Sequence, residues 1–141
     1  MNMIEMVLAM LAVVFFSTVA LMYNRAVWDQ SELLIHANKY IQASHLSHSV
    51  LDEVDARLFS KQLAFASIKT AYNTTRSVNM AHSGGIYKMI VTAVDCDSLG
   101  VPLASWVSNN IYTRVSVSTT TPGLKRPVVM RRVYTKTHLN L

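Results

Sequence analysis

The chain has 141 residues, 51% of them hydrophobic and only 15% charged, with a formal net charge of +5. That length admits one domain with an attachment and excludes two full domains. The single cysteine, Cys96, excludes an intramolecular disulfide and reads as a small buried side chain.

The first element is "MNMIEMVLAMLAVVFFSTVALMY", with no charged residue from Met6 to Tyr23. About twenty-three helical residues rise roughly 35 Å, enough to cross a hydrocarbon core of about 30 Å. One acid, Glu5, lies near its start, where an ionised group is costly unless something neutralises it. No Lys or Arg precedes Arg25, so the basic n-region of a secretory signal is missing, and no A-x-A pattern follows the apolar run. The basic flank that orients an ordinary anchor is missing on the N-terminal side as well. Two expectations follow: an unusual topology, or a short basic leader already removed so that Met1 is a processed terminus. Tyr23, Trp28 and Tyr40 read as interfacial or packing aromatics.

No Pro occurs before Pro102 and no Gly before Gly84, so one helix is expected from about residue 2 to the low sixties. Residues 1–25 form its apolar part. Residues 26–141 hold the amphipathic continuation and a C-terminal sheet. Leu33, Ala37, Tyr40, Ser44, Ser47, Leu51, Val54 and Leu58 recur at steps of four and three and form one stripe for packing. Asp29, Lys39, His45, Asp52, Glu53 and Arg57 occupy the other face. His45 and His48, with Asp52 a turn on, have a spacing that can hold a metal, but they read first as a solvated or interface-facing polar stripe, and no metal site is expected.

"SKQLAFASIKTAYNTTRSVNMA" reads as a second helical stretch that ends in the polar run from Asn73 to Ser77, and "HSGG" as a loop. Asn73-Thr74-Thr75 fits the N-glycosylation acceptor pattern, a weak signal on its own. Three strands follow: "IYKMIVTAVDC", "SNNIYTRVSVSTT" with Ile111, Thr113, Val115 and Val117 alternating, and "RPVVMRRVYTKTH" after the Pro122-Gly123 turn. Pro127 suits the start of an edge strand. Asp95-Cys96-Asp97 falls at a strand end, where Asp commonly begins turns. The expected class is therefore α+β: a long N-terminal helix packed on a small antiparallel sheet of about three strands. After the last acid, Asp97, come Arg114, Lys125, Arg126, Arg131, Arg132 and Lys136. This basic third can attract nucleic acid, anionic lipid or an acidic partner, but it reads first as the solvated face of a strand pair. No nucleophile–base arrangement, phosphate loop or zinc spacing is present, so neither a catalytic residue nor a cofactor is expected.

"MNMIEMVLAMLAVVFFSTVALMYNRA", with its non-basic start, its acid at the fifth position and its unbroken apolar helix, resembles the type IV pilin and type II secretion pseudopilin family. The resemblance covers about the first 25 residues directly and the remainder in architecture alone. It implies that a prepilin peptidase removes a basic leader and that Met1 becomes the N-methylated mature terminus. The subunit would leave the bacterial inner membrane, with the pilus assembly machinery, for a helical extracellular filament of many copies. It further implies that the Glu5 carboxylate neutralises the α-amino group of Met1 on an adjacent subunit and so sets axial register, because each charge alone is costly in an apolar setting. A plainer reading keeps Glu5 as an acid at a helix N-terminus, favoured by the dipole. The chain departs from the family in starting with Met1 where many members have Phe, in lacking a Pro late in the apolar run, and in lacking the paired cysteines of many major pilins. A pseudopilin or minor pilin, and a single-pass anchored protein whose C-terminal domain binds a ligand, are the alternatives.

Overall fold

A computed structural model describes residues 2–80, 85–104 and 110–136 of the chain. Met1, the "HS" and first Gly of the "HSGG" loop, the Ser108-Asn109 start of the second expected strand segment and the Thr137-His138 end of the third lie outside the described residues. Contacts divide the chain into two units, Met1–Ala37 and Asn38–Leu141. A single helix, α1 (Met3–Phe59), contributes to both.

In the first unit every described residue is exposed except the half-buried His36. The helix begins on Asn2, whose carbonyl accepts from the amides of Glu5 (2.9 Å) and Met6 (3.3 Å). With no Gly or Pro to break it, the backbone satisfies its own hydrogen bonds, as a segment without neighbours or water must.

In the second unit α1 buries Ala43, Ser47, Val50, Leu51, Val54 and Leu58. The expected stripe is thus correct from Ser47 onward, but Leu33 (70% exposed), Ala37 and Tyr40 (57% exposed) are not part of it. The reason is the extent of the covered stretch: Tyr40 shares the helical face of Ser47 and Leu58 but precedes Ala43, the first buried residue of α1. Helix α1 ends in a Schellman arrangement, in which Lys61 N–H bonds the Leu58 carbonyl (3.1 Å) and Gln62 N–H the Arg57 carbonyl (3.0 Å). Lys61 adopts the left-handed conformation (φ 58°) that such a cap requires and that glycine usually provides.

A 3-10 turn (Phe65–Ser67) and a five-residue helix, α2 (Ile68–Tyr72), follow. The chain then enters a four-stranded antiparallel sheet in the order β1 (Thr74–Met80), β2 (Gly85–Asp95), β3 (Tyr112–Thr120), β4 (Val128–Thr135). The sheet has one strand more than expected. The segment "TTRSVNM", expected to close a helix, is β1, and only Ile68–Tyr72 of the second helical stretch is α-helical. Asn73 makes the switch: its Oδ1 accepts from Ala93 N–H (2.8 Å) and its Nδ2 donates to the Ala93 carbonyl (3.4 Å), so the side chain pairs with β2 before the backbone does. Being an edge strand, β1 carries no clean apolar alternation that would betray it.

The other strands obey the period of two. Strand β2 buries Tyr87, Met89, Val91 and Ala93. Strand β3 buries Thr113, Val115, Val117 and Thr119, while Ile111 precedes the strand and stays exposed. Val91 opposes Val117 and Val117 opposes Met130, which fixes the register that points this face at α1. Leu51, Leu58 and Ile68 are essentially fully buried there, each contributing about 1.5–3 kcal/mol of transfer free energy. At one end Ala43, Tyr87 and Val128 form a smaller cluster. Pro127 stands immediately before β4, at the edge position its missing N–H demands.

Candidate functional site

The sequence points to the start of α1, and its geometry there is simple. The backbone N–H of Asn2 donates to Glu5 Oε2 at 3.1 Å. Asn2 is the N-cap and Glu5 the third helical residue, so this contact is half of a capping box. A negative charge in the first turn also meets the positive end of the helix dipole. Among the described residues nothing donates to Oε1, which leaves half the carboxylate open. Glu5 is exposed, and Met1, the expected partner residue on a neighbouring copy, lies outside the described residues. From Met6 to Tyr23 the side chains project from α1 without cover. Among the described residues α1 is the one helix long and apolar enough to cross a membrane.

The second unit uses its charged groups to fasten α1 to both edges of the sheet. On the β1 side Arg76 Nη1 donates to Glu53 Oε2 (2.6 Å), Tyr72 Oη donates to Oε1 (3.3 Å), and Arg57, one turn along the helix, pairs with the same carboxylate (2.9 Å). The Arg76 hydrogen bond holds the Glu53 carboxyl below its ordinary range, and burial pushes the Tyr72 hydroxyl up. On the β4 side Arg132 bonds Asp52 (3.2 Å) and Asp55. Beside it Tyr134 Oη donates to the Leu51 carbonyl at 3.3 Å, and burial raises the tyrosine's pKa. Asp52, Glu53 and Arg57 were expected on a solvated helix face; only the Glu53–Arg57 spacing of four hinted at a pair. The long-range partners Arg76 and Arg132 have no local sequence signal.

The remaining expected features take structural places. His45, His48 and Asp52 are exposed on α1. Asp95 pairs with Lys69 (2.7 Å), and Asp97 Oδ1 accepts from Leu99 and Val101 N–H (2.9 and 2.8 Å), which makes the turn expected of a strand-end Asp. Cys96 is fully buried, and burial raises its thiol pKa, so it is a packing residue rather than a nucleophile. Of the basic third, Arg132 is engaged by α1 and Arg114 donates to the Gly100 carbonyl (2.8 Å), whereas Lys125, Arg126, Arg131 and Lys136 are exposed. Asn73 of the acceptor pattern is committed to Ala93. Two surface clefts of about 240 and 260 Å³, one lined by Asp55, Phe59 and Tyr134 and the other by Lys69, Asn73 and Asp95, fall below the usual range of small-molecule sites.

No protein-family model, no curated protein and no solved structure matches this chain.

Proposed function

We propose that this protein is a structural, non-enzymatic subunit of a type IV pilus-like filament, built through the apolar part of α1. One observation carries the reading. The first unit is an uncovered apolar helix, while the second has a complete core of its own and makes no demand on that helix's apolar side chains. Such a chain resides in a bilayer and is stable outside it only when like helices replace the lipid. In the filament, Glu5 neutralises the α-amino group of Met1 on a neighbour. Oε1, which has no donor among the described residues, can receive that amine while Oε2 keeps its bond to Asn2, so capping and pairing are compatible. The pair contributes more to register than to net cohesion.

The test is Glu5→Gln and Glu5→Ala in the full chain, with sheared surface filaments measured by microscopy. Filament yield is expected to fall at least about tenfold, the consequence of leaving a buried amine without its partner; wild-type yield in both variants would remove the pairing role. Mass spectrometry of the Met1 α-amino group, looking for methylation, checks the processing that the family resemblance implies. A second reading, a single-pass anchor for the α+β unit, is favoured by the Asn2–Glu5 contact, which gives Glu5 a use within its own chain. It predicts an unmodified amine, a monomer in detergent, and membrane insertion indifferent to Glu5→Gln. Copy number in purified filaments separates a major subunit from a minor pilin or pseudopilin.

A further inference from the structure

The sheet has two faces, and α1 uses one. Side chains alternate across a strand, so the inward set that packs on α1, Met89, Val91, Val115 and Val117, leaves a second set pointing away from it. Register arranges this outer face in rows: Lys88 beside Thr120, Ile90 beside Ser118 and Val129, Thr92 beside Ser116 and Arg131. All of these residues are exposed or half-buried. The turn after β2 bounds the open area, because Arg114 Nη1 in the next row donates to the Gly100 carbonyl (2.8 Å). None of the residues in these rows is acidic or aromatic. Asp52, Glu53 and Asp55 belong to α1 on the other side of the sheet, and Asp95 is held by Lys69. The side chains of Lys88 and Arg131 have no partner among the described residues. They stand at opposite corners, two strand spacings across and four residues along, with Ser118 midway. That places their Cα atoms roughly 17 Å apart.

This composition selects a partner. Two unpaired cations attract a polyanion, and the hydroxyls of Thr92, Ser116, Ser118 and Thr120 between them can each donate and accept hydrogen bonds. Protein interfaces are enriched in aromatic and Met side chains and poor in Ser and Lys, the reverse of this strip. Single-stranded nucleic acid needs aromatic rings on which to stack its bases, and the strip has none. Four strands span about 14 Å, more than the roughly 12 Å of a major groove, so the face reaches only the outermost phosphates of a duplex. A lipid surface takes Trp, Phe or Leu, whereas the apolar residues here are Ile90 and Val129, kept apart by Ser118. A sugar chain with a carboxylate on each ring meets every feature, offering hydroxyls to the hydroxyls and acids to the cations. We propose that the outer face of the sheet binds a polyuronate laid diagonally from Lys88 to Arg131. Arg131 forks one carboxylate, Lys88 holds another, and the Ser118 hydroxyl bonds the ring hydroxyls between them. The inference goes beyond the filament reading and does not rest on it, since it uses the second unit alone.

The experiment titrates the full chain, in a non-ionic detergent, against a fluorescently labelled oligogalacturonate, with anisotropy as the readout. Binding is expected to weaken as salt rises and to be absent with neutral dextran. Lys88→Glu and Arg131→Glu each weaken it at least about tenfold, and Ser118→Val weakens it about threefold. Lys125→Glu with Arg126→Glu reverses two charges on the β3–β4 turn, off this face, and changes binding less than about twofold. Near-ultraviolet circular dichroism checks that each variant keeps its fold, as substitutions outside the core should. No binding, indifference to Lys88→Glu or Arg131→Glu, an equal loss in the turn variant, or tighter binding to duplex DNA of the same charge overturns the proposal. Oligogalacturonate binding in a chain that forms no filaments upholds it and counts against the filament reading alone.

Discussion

Glu53 gathers two arginines, Arg57 and Arg76, and the Tyr72 hydroxyl. Its carboxyl lies below the ordinary value of 4.5, chiefly through the Arg76 hydrogen bond. A carboxyl depressed in the folded state stabilises above its unfolded pKa, and that stability is lost as pH falls through the folded value. Urea unfolding from pH 7 down to about pH 3 is therefore expected to show falling stability, with a shallower fall in Glu53→Gln. At neutral pH that variant loses about 1 kcal/mol, a modest sum because the group is partly exposed. Lys61 predicts the opposite sign. A non-glycine residue in the left-handed region carries strain, so Lys61→Gly is expected to raise stability by about 0.5–1 kcal/mol in thermal unfolding, net of glycine's extra unfolded-state entropy. Residue-level chemistry was only partly legible in the sequence. The Asp97 turn and the buried Cys96 followed from residue type and position. Arg76 as the partner of Glu53, and Arg132 as the partner of Asp52 and Asp55, did not, because contacts between positions 23 to 80 apart leave no local trace.

At the scale of elements, the helix–sheet contact includes a buried pair of hydroxyls. Ser47 and Thr119 are both fully buried and their hydroxyl oxygens lie 2.7 Å apart, while Ser47 also bonds the Ala43 carbonyl (2.9 Å). Ser47→Ala leaves the Thr119 hydroxyl unpaired in the core and is expected to cost about 1–3 kcal/mol. The double variant Ser47→Ala, Thr119→Val should cost less than the sum of its parts, measured as a double-mutant cycle in urea. Elements with strong periodicity were readable beforehand: α1 to within a few residues, β3 from its alternation, and β4 from the Pro-Gly turn and Pro127. Strand β1 was not. Its register depends on an asparagine side chain reaching β2 across the chain, a tertiary event that overrides the local polarity of "TTRSVNM".

For the molecule as a whole, the division of labour along α1 has a direct test. Every buried residue among those described is at position 43 or later. A chain beginning at Gln30 is therefore expected to stay soluble without detergent and to keep its near-ultraviolet circular dichroism, with a melting temperature within a few degrees of the full chain in detergent. Loss of the cooperative transition would show that the first unit contributes to the fold. The α+β class and the membrane-length helix were legible at this scale because apolar length and period are written in the order of residues.

The inward commitment of the acids has a further consequence. In the second unit Asp52, Glu53, Asp55 and Asp95 are taken up by arginines and a lysine, and Asp97 by backbone amides. Twelve of the thirteen Lys and Arg residues belong to that unit, and Lys88, Lys125, Arg126, Arg131 and Lys136 face solvent. Its exterior is therefore a cationic colloid. Copies of this unit brought close together repel at low ionic strength and tolerate one another as counterions condense, so their association should be governed by the anions in the medium.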